Sequence, residues 1–494
     1  MDAPRCGRAD GSTRVAALTV VALLYGALVT ALTGPGFASF DTAYQWWMAR
    51  HMEISTLWPP AYVFSFRLLD GALPGLAAPT AWFVINLSLT SIGAALVALR
   101  CTRSVVGAMA CYFALVASPV AWLLLPHVWS DVALVSMLLV AVGCLVAAET
   151  SGASGLVRRI YLAASFVGLF AAVGVRHNAI VAVVPLAVLW CALAMPEMTP
   201  ARSSHAWRNR LRAIALGVLM SGVFVGVHAV AARMLAVQRA DTWAITAIWD
   251  LQAMSVALQQ NLIPKSISPD TDLVDLRESF DPSNAVTLYS KSRAHWVNST
   301  TGLTPTQTSD LLAAWRQAAM AAPSRYLVHR WHAMAALLGM PGHVVAGTRV
   351  EPVQTQFKDN PPRTFWWPAG IDHWRRLALR LSSKWFCSPF ATIALAVVFV
   401  VGALIRQYSH LLPTTSHTRT SQPRSKAESQ RRLAVATGVS ALLYLAGLFA
   451  TVPTADMRYA FWPVVAFALT AVLISTTRSP VCSVTSSSVT MRAS

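Results

Sequence analysis

The chain contains 494 residues, of which 55% are hydrophobic and only 12% charged. A soluble protein carries about twice that share of charged residues, so the composition excludes an ordinary soluble enzyme. Lys and Arg outnumber Asp and Glu by 39 to 21, but no basic run is interleaved with aromatic residues, and nucleic acid is therefore not an expected partner.

Ten apolar segments are long enough, or nearly so, to cross a bilayer, for which about 20 helical residues are needed. We predict spans at Val15 to Thr33, Thr80 to Leu99, Ser104 to Leu125, Val132 to Ala148, Ile160 to Val175, Ala179 to Met195, Ala213 to Ala232, Pro389 to Ile405, Leu433 to Ala450 and Tyr459 to Ile474. The first is longer than the apolar core of a signal peptide, so we expect it to be retained. The predicted fold class is an all-α polytopic membrane protein with about ten transmembrane helices.

Positive residues predict the orientation of these spans. With a cytoplasmic N-terminus, nineteen Lys and Arg residues fall in cytoplasmic connections and tails. The short connections on the opposite side hold only Arg50, Arg67, Arg176 and Arg458. The positive-inside rule therefore predicts that both termini are cytoplasmic.

Two connections are too long to be simple loops. The first, Gly34 to Pro79, is predicted to form two surface helices, Asp41 to Glu53 and Ala61 to Asp70, separated by Pro59 and Pro60. The second, Ala236 to Trp385, is predicted to be an outward-facing, mostly helical soluble domain. The predicted units are a membrane domain over 1–235 with its first loop at 34–79, the soluble domain over 236–385, C-terminal transmembrane helices over 386–476 and a cytoplasmic tail over 477–494.

Polar residues gather in the short connections on the side predicted to face outward. They are Asp41, His127, Asp131, Arg176, His177, Asn178, Asp456, Arg458 and Tyr459. Charged groups near membrane depth are costly and usually mark a substrate path or a mutual pairing. Their convergence on one side predicts a chemical site there.

Each of these groups also has a purely structural interpretation. Asp41 and Asp131 can cap the helices that follow them, and Arg176 can reach lipid headgroups. Asp456 and Arg458 can simply pair with each other, and His177 fits an ordinary interfacial histidine. The sequence leaves these interpretations open.

The cofactor requirement is also open. A carboxylate with His127 and Asp131 can bind a divalent metal ion, but no spacing demands one, and the seven cysteines form no Cys/His cluster. No P-loop, HExxH or GxSxG motif is present. The remaining chemistry is a carboxylate able to act as a general base and arginines able to hold a phosphate.

At these residues the chain resembles the membrane glycosyltransferases of the GT-C fold, in their bacterial form, which use polyprenyl-phosphate-linked sugars. The resemblance lies in one span followed by Phe40-Asp41-Thr42-Ala43-Tyr44-Gln45 and two interfacial helices. It extends to Val175-Arg176-His177-Asn178-Ala179, Trp315 through Pro323, Tyr326 to His329-Arg330, and Asp456-Met457-Arg458-Tyr459.

The resemblance implies that Asp41 is the catalytic acid of the first loop. It also implies a polyprenyl-phosphate-linked sugar as donor, a glycan, lipid or protein acceptor, membrane lipids as partners, and a location in the bacterial inner membrane. Arg330 joins the other outward-facing polar residues as an expected substrate-binding residue. Many family members have a second acid directly beside another acidic residue or a histidine in the first loop, whereas this loop offers only Glu53 and Asp70 besides Asp41.

Two alternative functions are weighed against this one. A polysaccharide polymerase or ligase that uses a lipid-pyrophosphate glycan would place Arg330 with His329 or His332 at its catalytic centre. A non-enzymatic transporter of lipid-linked sugars would show internal repeats and polar residues at mid-membrane depth, and the predicted spans contain few such residues.

Overall fold

The computed structural model describes residues 11–150, 155–195, 206–296, 302–342, 351–382, 384–409 and 424–475. Within these ranges the regular elements are helices, accompanied by a few isolated β-bridges. The predicted all-α polytopic membrane fold is therefore confirmed. The predicted tail over 477–494 lies outside the described residues.

The helices follow one another with short connections. In chain order they are α1 (Gly11–Thr33), α2 (Phe40–His51), α3 (Pro60–Ala72), α4 (Ala78–Cys101), α5 (Val105–Val116), α6 (Pro119–Leu124), α7 (Ser130–Thr150), α8 (Gly155–Val175), α9 (Ile180–Ala194), α10 (Ala206–Leu235), α11 (Thr242–Leu258), α12 (Leu273–Ser279), α13 (Val286–Lys291), α14 (Pro305–Ala321), α15 (Pro323–Leu338), α16 (Pro368–Ser382), α17 (Pro389–Ser409), α18 (Arg424–Thr451) and α19 (Phe461–Ser475).

Eight helical segments in the described part are long and apolar enough to cross a membrane, and they match eight of the ten predicted spans. Two shorter apolar segments, Val105–Val116 and Pro389–Ile405, occupy the positions of the third and eighth. The chain is thus a multi-pass membrane protein.

The third predicted span is not one continuous helix. Helix α5 ends at Val116 and α6 begins at Pro119. Proline has no backbone N–H and forces the residue before it out of the helical region, so Ser118 is extended. The Ser118 hydroxyl then caps α6 by accepting a hydrogen bond from the Ala121 amide. The prediction of a single helix over 104–125 was wrong for this reason.

The first long connection forms two helices, as predicted. Helix α2 is followed by a break, and Pro60 is the first residue of α3, where its missing N–H costs nothing. One span, then two short helices, then further spans is the GT-C-like order that the resemblance implied.

The segment between α10 and α17 is also helical and has an apolar core of its own. Ile248 and Leu251 of α11 pack with Leu276 of α12 and Leu311 of α14. Helix α14 ends at Ala321 and α15 begins at Pro323.

Connections between spans fall at two ends of the helical bundle. We call one of them the site end, because the residues described below lie there. It contains the connections at 34–77, 126–129, 176–179 and 452–456, together with α11 to α15. The sequence predicts that the site end faces outward.

Helices α4 and α7 cross with almost no space between their backbones. A Cβ atom on Gly93 of α4 would lie 2.6 Å from the carbonyl carbon of Leu139 in α7. A Cβ atom on Gly143 would lie 2.7 Å from the carbonyl oxygen of Gly93. These glycines permit the contact that fixes α7, whose first turn carries Asp131.

We predict that Gly93→Ala destabilises the protein by roughly 1–3 kcal/mol, because its methyl group meets backbone that cannot move aside. Gly26→Ala in α1 is the matched control, since a Cβ atom there meets nothing within 4 Å. Thermal unfolding of both purified variants measures the difference. Equal melting temperatures for the two variants would contradict the close crossing.

A second prediction concerns orientation. Ser309, exposed on α14, should react as Ser309→Cys with a membrane-impermeant thiol reagent on intact cells, whereas Arg103→Cys at the opposite end should react only after permeabilisation. Both variants are made in a parent protein from which Cys6 and Cys482 have been removed by substitution. The five remaining cysteines are buried. The reverse labelling pattern would show that the site end faces the cytoplasm.

Candidate active site

Backbone hydrogen bonds join the first loop to the connection between α6 and α7. The Phe37 amide donates to the Pro126 carbonyl at 2.8 Å, and the Val128 amide donates to the Phe37 carbonyl at 3.0 Å. The Thr42 hydroxyl also donates to the Val128 carbonyl at 2.6 Å. These bonds hold the first turn of α2, which carries Asp41, beside the start of α7.

Arg458 connects this pair of loops to the turn before α19. Its Nη1 lies 2.9 Å from Oδ2 of Asp41, and its Nε lies 3.1 Å from Oδ2 of Asp456 and 4.0 Å from Oδ2 of Asp131. The 3-10 turn Met457–Ala460 is capped by Asp456, whose carboxylate accepts the Arg458 amide at 3.0 Å. Three separate connections therefore meet at one guanidinium.

Arg176 enters the same group from the connection between α8 and α9. Its Nη1 lies 3.1 Å from Oδ2 of Asp131 and donates to the Ser130 hydroxyl at 3.3 Å. Asp131 is almost fully buried, with 3% of its side chain exposed, and it lies between the two arginines. We call Asp41, Asp131, Arg176, Asp456 and Arg458 the arginine cluster.

Aromatic rings border both guanidinium groups. The ring centre of Tyr459 lies 4.9 Å from Cζ of Arg176 and 5.2 Å from Cζ of Arg458. The ring of Trp129 lies 5.0 Å from Cζ of Arg458. An aromatic face attracts a cation and limits the directions in which the guanidinium can point.

His127 lies behind Trp129 and is fully buried. Its ring stacks on Trp129 with centres 3.9 Å apart, and Nδ1 lies 3.3 Å from the Leu124 carbonyl. Burial lowers the pKa of His127 to about 3, so its ring is neutral at physiological pH. His127 therefore packs against the cluster and adds no positive charge to it.

The other predicted residues differ in how close they come to the cluster. Asn178 lies at its edge, where its Oδ1 accepts a hydrogen bond from the Tyr444 hydroxyl at 3.4 Å. His177 is exposed at the surface. Arg330 is fully buried elsewhere, with Nη2 2.5 Å from Oδ2 of Asp250. The structure does not bring Arg330 into the cluster.

The geometry also bears on the structural interpretations. Ser39, not Asp41, occupies the N-cap position of α2, and the Asp41 carboxylate extends to Arg458 instead. Asp131 is in the first turn of α7, yet it pairs with Arg176. Asp456 does cap its turn, in addition to pairing with Arg458.

The cluster contains three carboxylates and two guanidinium groups. Burial raises the pKa of Asp456, and the neighbouring Arg458 opposes that change. In the described residues no group of three or more His, Cys, Asp or Glu side chains is placed to hold a metal ion. The Oδ2 atoms of Asp41, Asp131 and Asp456 each lie within 4 Å of a guanidinium nitrogen, so these oxygens are paired with arginine and are not placed to bind a divalent ion as they stand.

Two residues of the site were not identified from the sequence. Trp129 lies between His127 and Asp131 in the chain, so its position in the same connection was a usable signal. Tyr444 lies within an apolar span, where a single tyrosine is ordinary and gives no such signal.

No family model and no curated protein sequence matches this chain. Among solved structures it is similar to the crystal structure of ArnT from Cupriavidus metallidurans in the apo state. The similarity covers 95% of this chain and 78% of that chain, with 13% identity and a TM-score of 0.30.

Paired guanidinium groups can hold a phosphate through several charge-assisted hydrogen bonds, which lysine reproduces poorly. We predict that Arg176→Lys and Arg458→Lys each weaken binding of farnesyl phosphate to the purified protein by about tenfold or more. Arg67→Lys, at an exposed arginine of the site end, is the control and should change affinity little. Equal affinities for all three variants would leave a purely structural role for the two arginines.

Proposed function

We propose that the chain is a membrane glycosyltransferase that moves a sugar from a polyprenyl-phosphate donor to a glycan, lipid or protein acceptor. The observation that carries the proposal is the 2.9 Å contact between Asp41 and Arg458 within a cluster that also holds Arg176. The arginine cluster supplies one carboxylate that solvent can reach and two guanidinium groups at the end of the transmembrane helices.

In this reaction Asp41 accepts the proton of the acceptor hydroxyl. The hydroxyl oxygen forms a bond to the anomeric carbon of the sugar while the bond from that carbon to the phosphate oxygen breaks. The electron pair of the broken bond stays on the phosphate, where Arg458 and Arg176 stabilise the developing charge. A direct displacement of this kind inverts the anomeric centre.

The donor phosphate and Asp41 compete for the same guanidinium. In the structure Nη1 of Arg458 faces Asp41, and a phosphate bound there would take over that contact. Asp41 would then be released from its ion pair when the donor is in place. The carboxylate thus becomes available as a base in the complex that needs it.

The multi-pass fold supports membrane lipids as the surroundings and a lipid-linked molecule as donor. We propose the bacterial inner membrane as the location, with both termini in the cytoplasm and the site end outside.

Two observations favour this function over its alternatives. A ligase centred on Arg330 with His329 or His332 requires Arg330 to be open to substrate, but 0% of the Arg330 side chain is exposed. A transporter needs polar groups along its path at mid-membrane depth, whereas the cluster lies in the connections at one end of the spans.

The decisive variant is Asp41→Asn. Asparagine keeps an oxygen that can accept from Arg458 but cannot take a proton, so a well-folded variant should lose about two to four orders of magnitude in turnover. Glu53→Gln, at an exposed carboxylate of the same loop, is the matched control and should remain active. Transfer is measured with the donor found by mass spectrometry among lipids that accumulate in a deletion strain.

Near-normal turnover by folded Asp41→Asn enzyme would exclude a base role for Asp41. Loss of turnover in both variants would instead point to a general effect of charge in the first loop.

A further inference from the structure

The segment just before Arg458 is bound along its whole length by the helical domain between α10 and α17. The Thr246 hydroxyl donates to the Thr451 carbonyl at 2.9 Å, and Nη1 of Arg330 donates to the Val452 carbonyl at 2.9 Å. The Ala285 amide donates to the Pro453 carbonyl at 2.9 Å.

The same contact continues for two more residues. Thr454 forms an isolated antiparallel bridge with Asn284, and its hydroxyl donates to the Ser283 carbonyl at 3.4 Å. The Ala455 amide donates to the same carbonyl at 2.7 Å. Five consecutive residues, 451–455, are therefore held by the domain immediately before Asp456.

Arg330 makes its part of this contact from a fully buried position. Its Nη2 lies 2.5 Å from Oδ2 of Asp250, and that oxygen also accepts the indole N–H of Trp315 at 2.9 Å. An ion pair sealed from water in this way is held in one arrangement, because any movement leaves a buried charge without its partner. The Asp250–Arg330 pair thus gives the 451–455 segment a rigid support.

We propose that the domain formed by α11 to α15 is a positioning element for the active site, with Arg330, Asp250 and Thr246 as positioning residues. It holds the 451–455 segment so that Arg458 meets Asp41 and can receive the phosphate of the donor. The proposal rests on the proposed function for the identity of that phosphate. It gives Arg330 a role that needs no contact with substrate.

The proposal predicts that weakening the support loosens the segment and the phosphate contact together. Thr246→Val removes one hydroxyl and keeps the side-chain shape, whereas Arg330→Met removes the whole link to Val452. In the full-length protein in lipid nanodiscs, hydrogen exchange in 451–460 should become about fivefold faster in Thr246→Val, as expected for the loss of one hydrogen bond. It should become faster still in Arg330→Met, which also leaves the buried Asp250 carboxylate without its ion pair.

Farnesyl phosphate is the probe for the second readout, with farnesol as the phosphate-free reference. The affinity for farnesyl phosphate should fall by about tenfold in Arg330→Met and by a smaller factor in Thr246→Val, because Arg458 is then less well positioned to bind the phosphate. Ser268→Ala is the matched control. Its hydroxyl donates to the His295 carbonyl at 2.8 Å in the same domain rather than to the 451–455 segment, so its removal should change neither readout.

Faster exchange in 451–460 with unchanged farnesyl phosphate affinity would overturn the positioning role and leave only a structural contact. Unchanged exchange in both variants would overturn the proposal entirely. If Arg330→Met does not fold, Thr246→Val decides by the same two measurements. Failure of wild-type protein to bind farnesyl phosphate would count against the proposed donor, and the exchange data would still decide whether the domain holds the segment.

Discussion

The Arg458 guanidinium is the point at which three distant connections of the chain are joined. It contacts Asp41 in the first turn of α2, Asp131 in the first turn of α7 and Asp456 shortly before α19. Each of these charges alone would be costly beside a membrane, and each becomes tolerable only because the others are present. Movement of any one connection would leave a poorly solvated charge unpaired, so the pairing fixes the positions of α2, α7 and α19 at this end.

Two independent supports hold the members of this group. On the membrane side, the close crossing at Gly93 and Gly143 sets the position of α7 and therefore of Asp131. On the other side, the buried Asp250–Arg330 pair and its neighbours hold the segment that leads to Asp456. The hydrogen bonds around Phe37 then hold Asp41 beside the start of α7. The proposed base and the proposed phosphate-binding groups thus belong to different parts of the molecule that meet at one place.

Hydropathy and positive charge predicted most of the spans and predicted that the site residues lie at one end of them, because both signals are local in sequence. The break at Pro119 was missed since an apolar window averages over a single proline. The pairings could not be predicted, because Asp41 and Arg458 are 417 positions apart and no local pattern records which charges of the site end meet. Arg330 was predicted to bind substrate for a similar reason. Its partner Asp250 lies 80 positions earlier, so its burial could not be inferred from the surrounding helix pattern.

The unequal solvent exposure of the three carboxylates would decide which contact gives way when a phosphate binds. Asp131 has 3% of its side chain exposed and Asp456 has 18%, whereas Asp41 has 33%. The most accessible carboxylate loses least when it is separated from its arginine, because water can solvate it in place of the lost partner. A phosphate bound to Arg458 as proposed would therefore displace Asp41 in preference to the two less exposed acids. The residue released is the one that borders solvent, where an acceptor hydroxyl would have to approach.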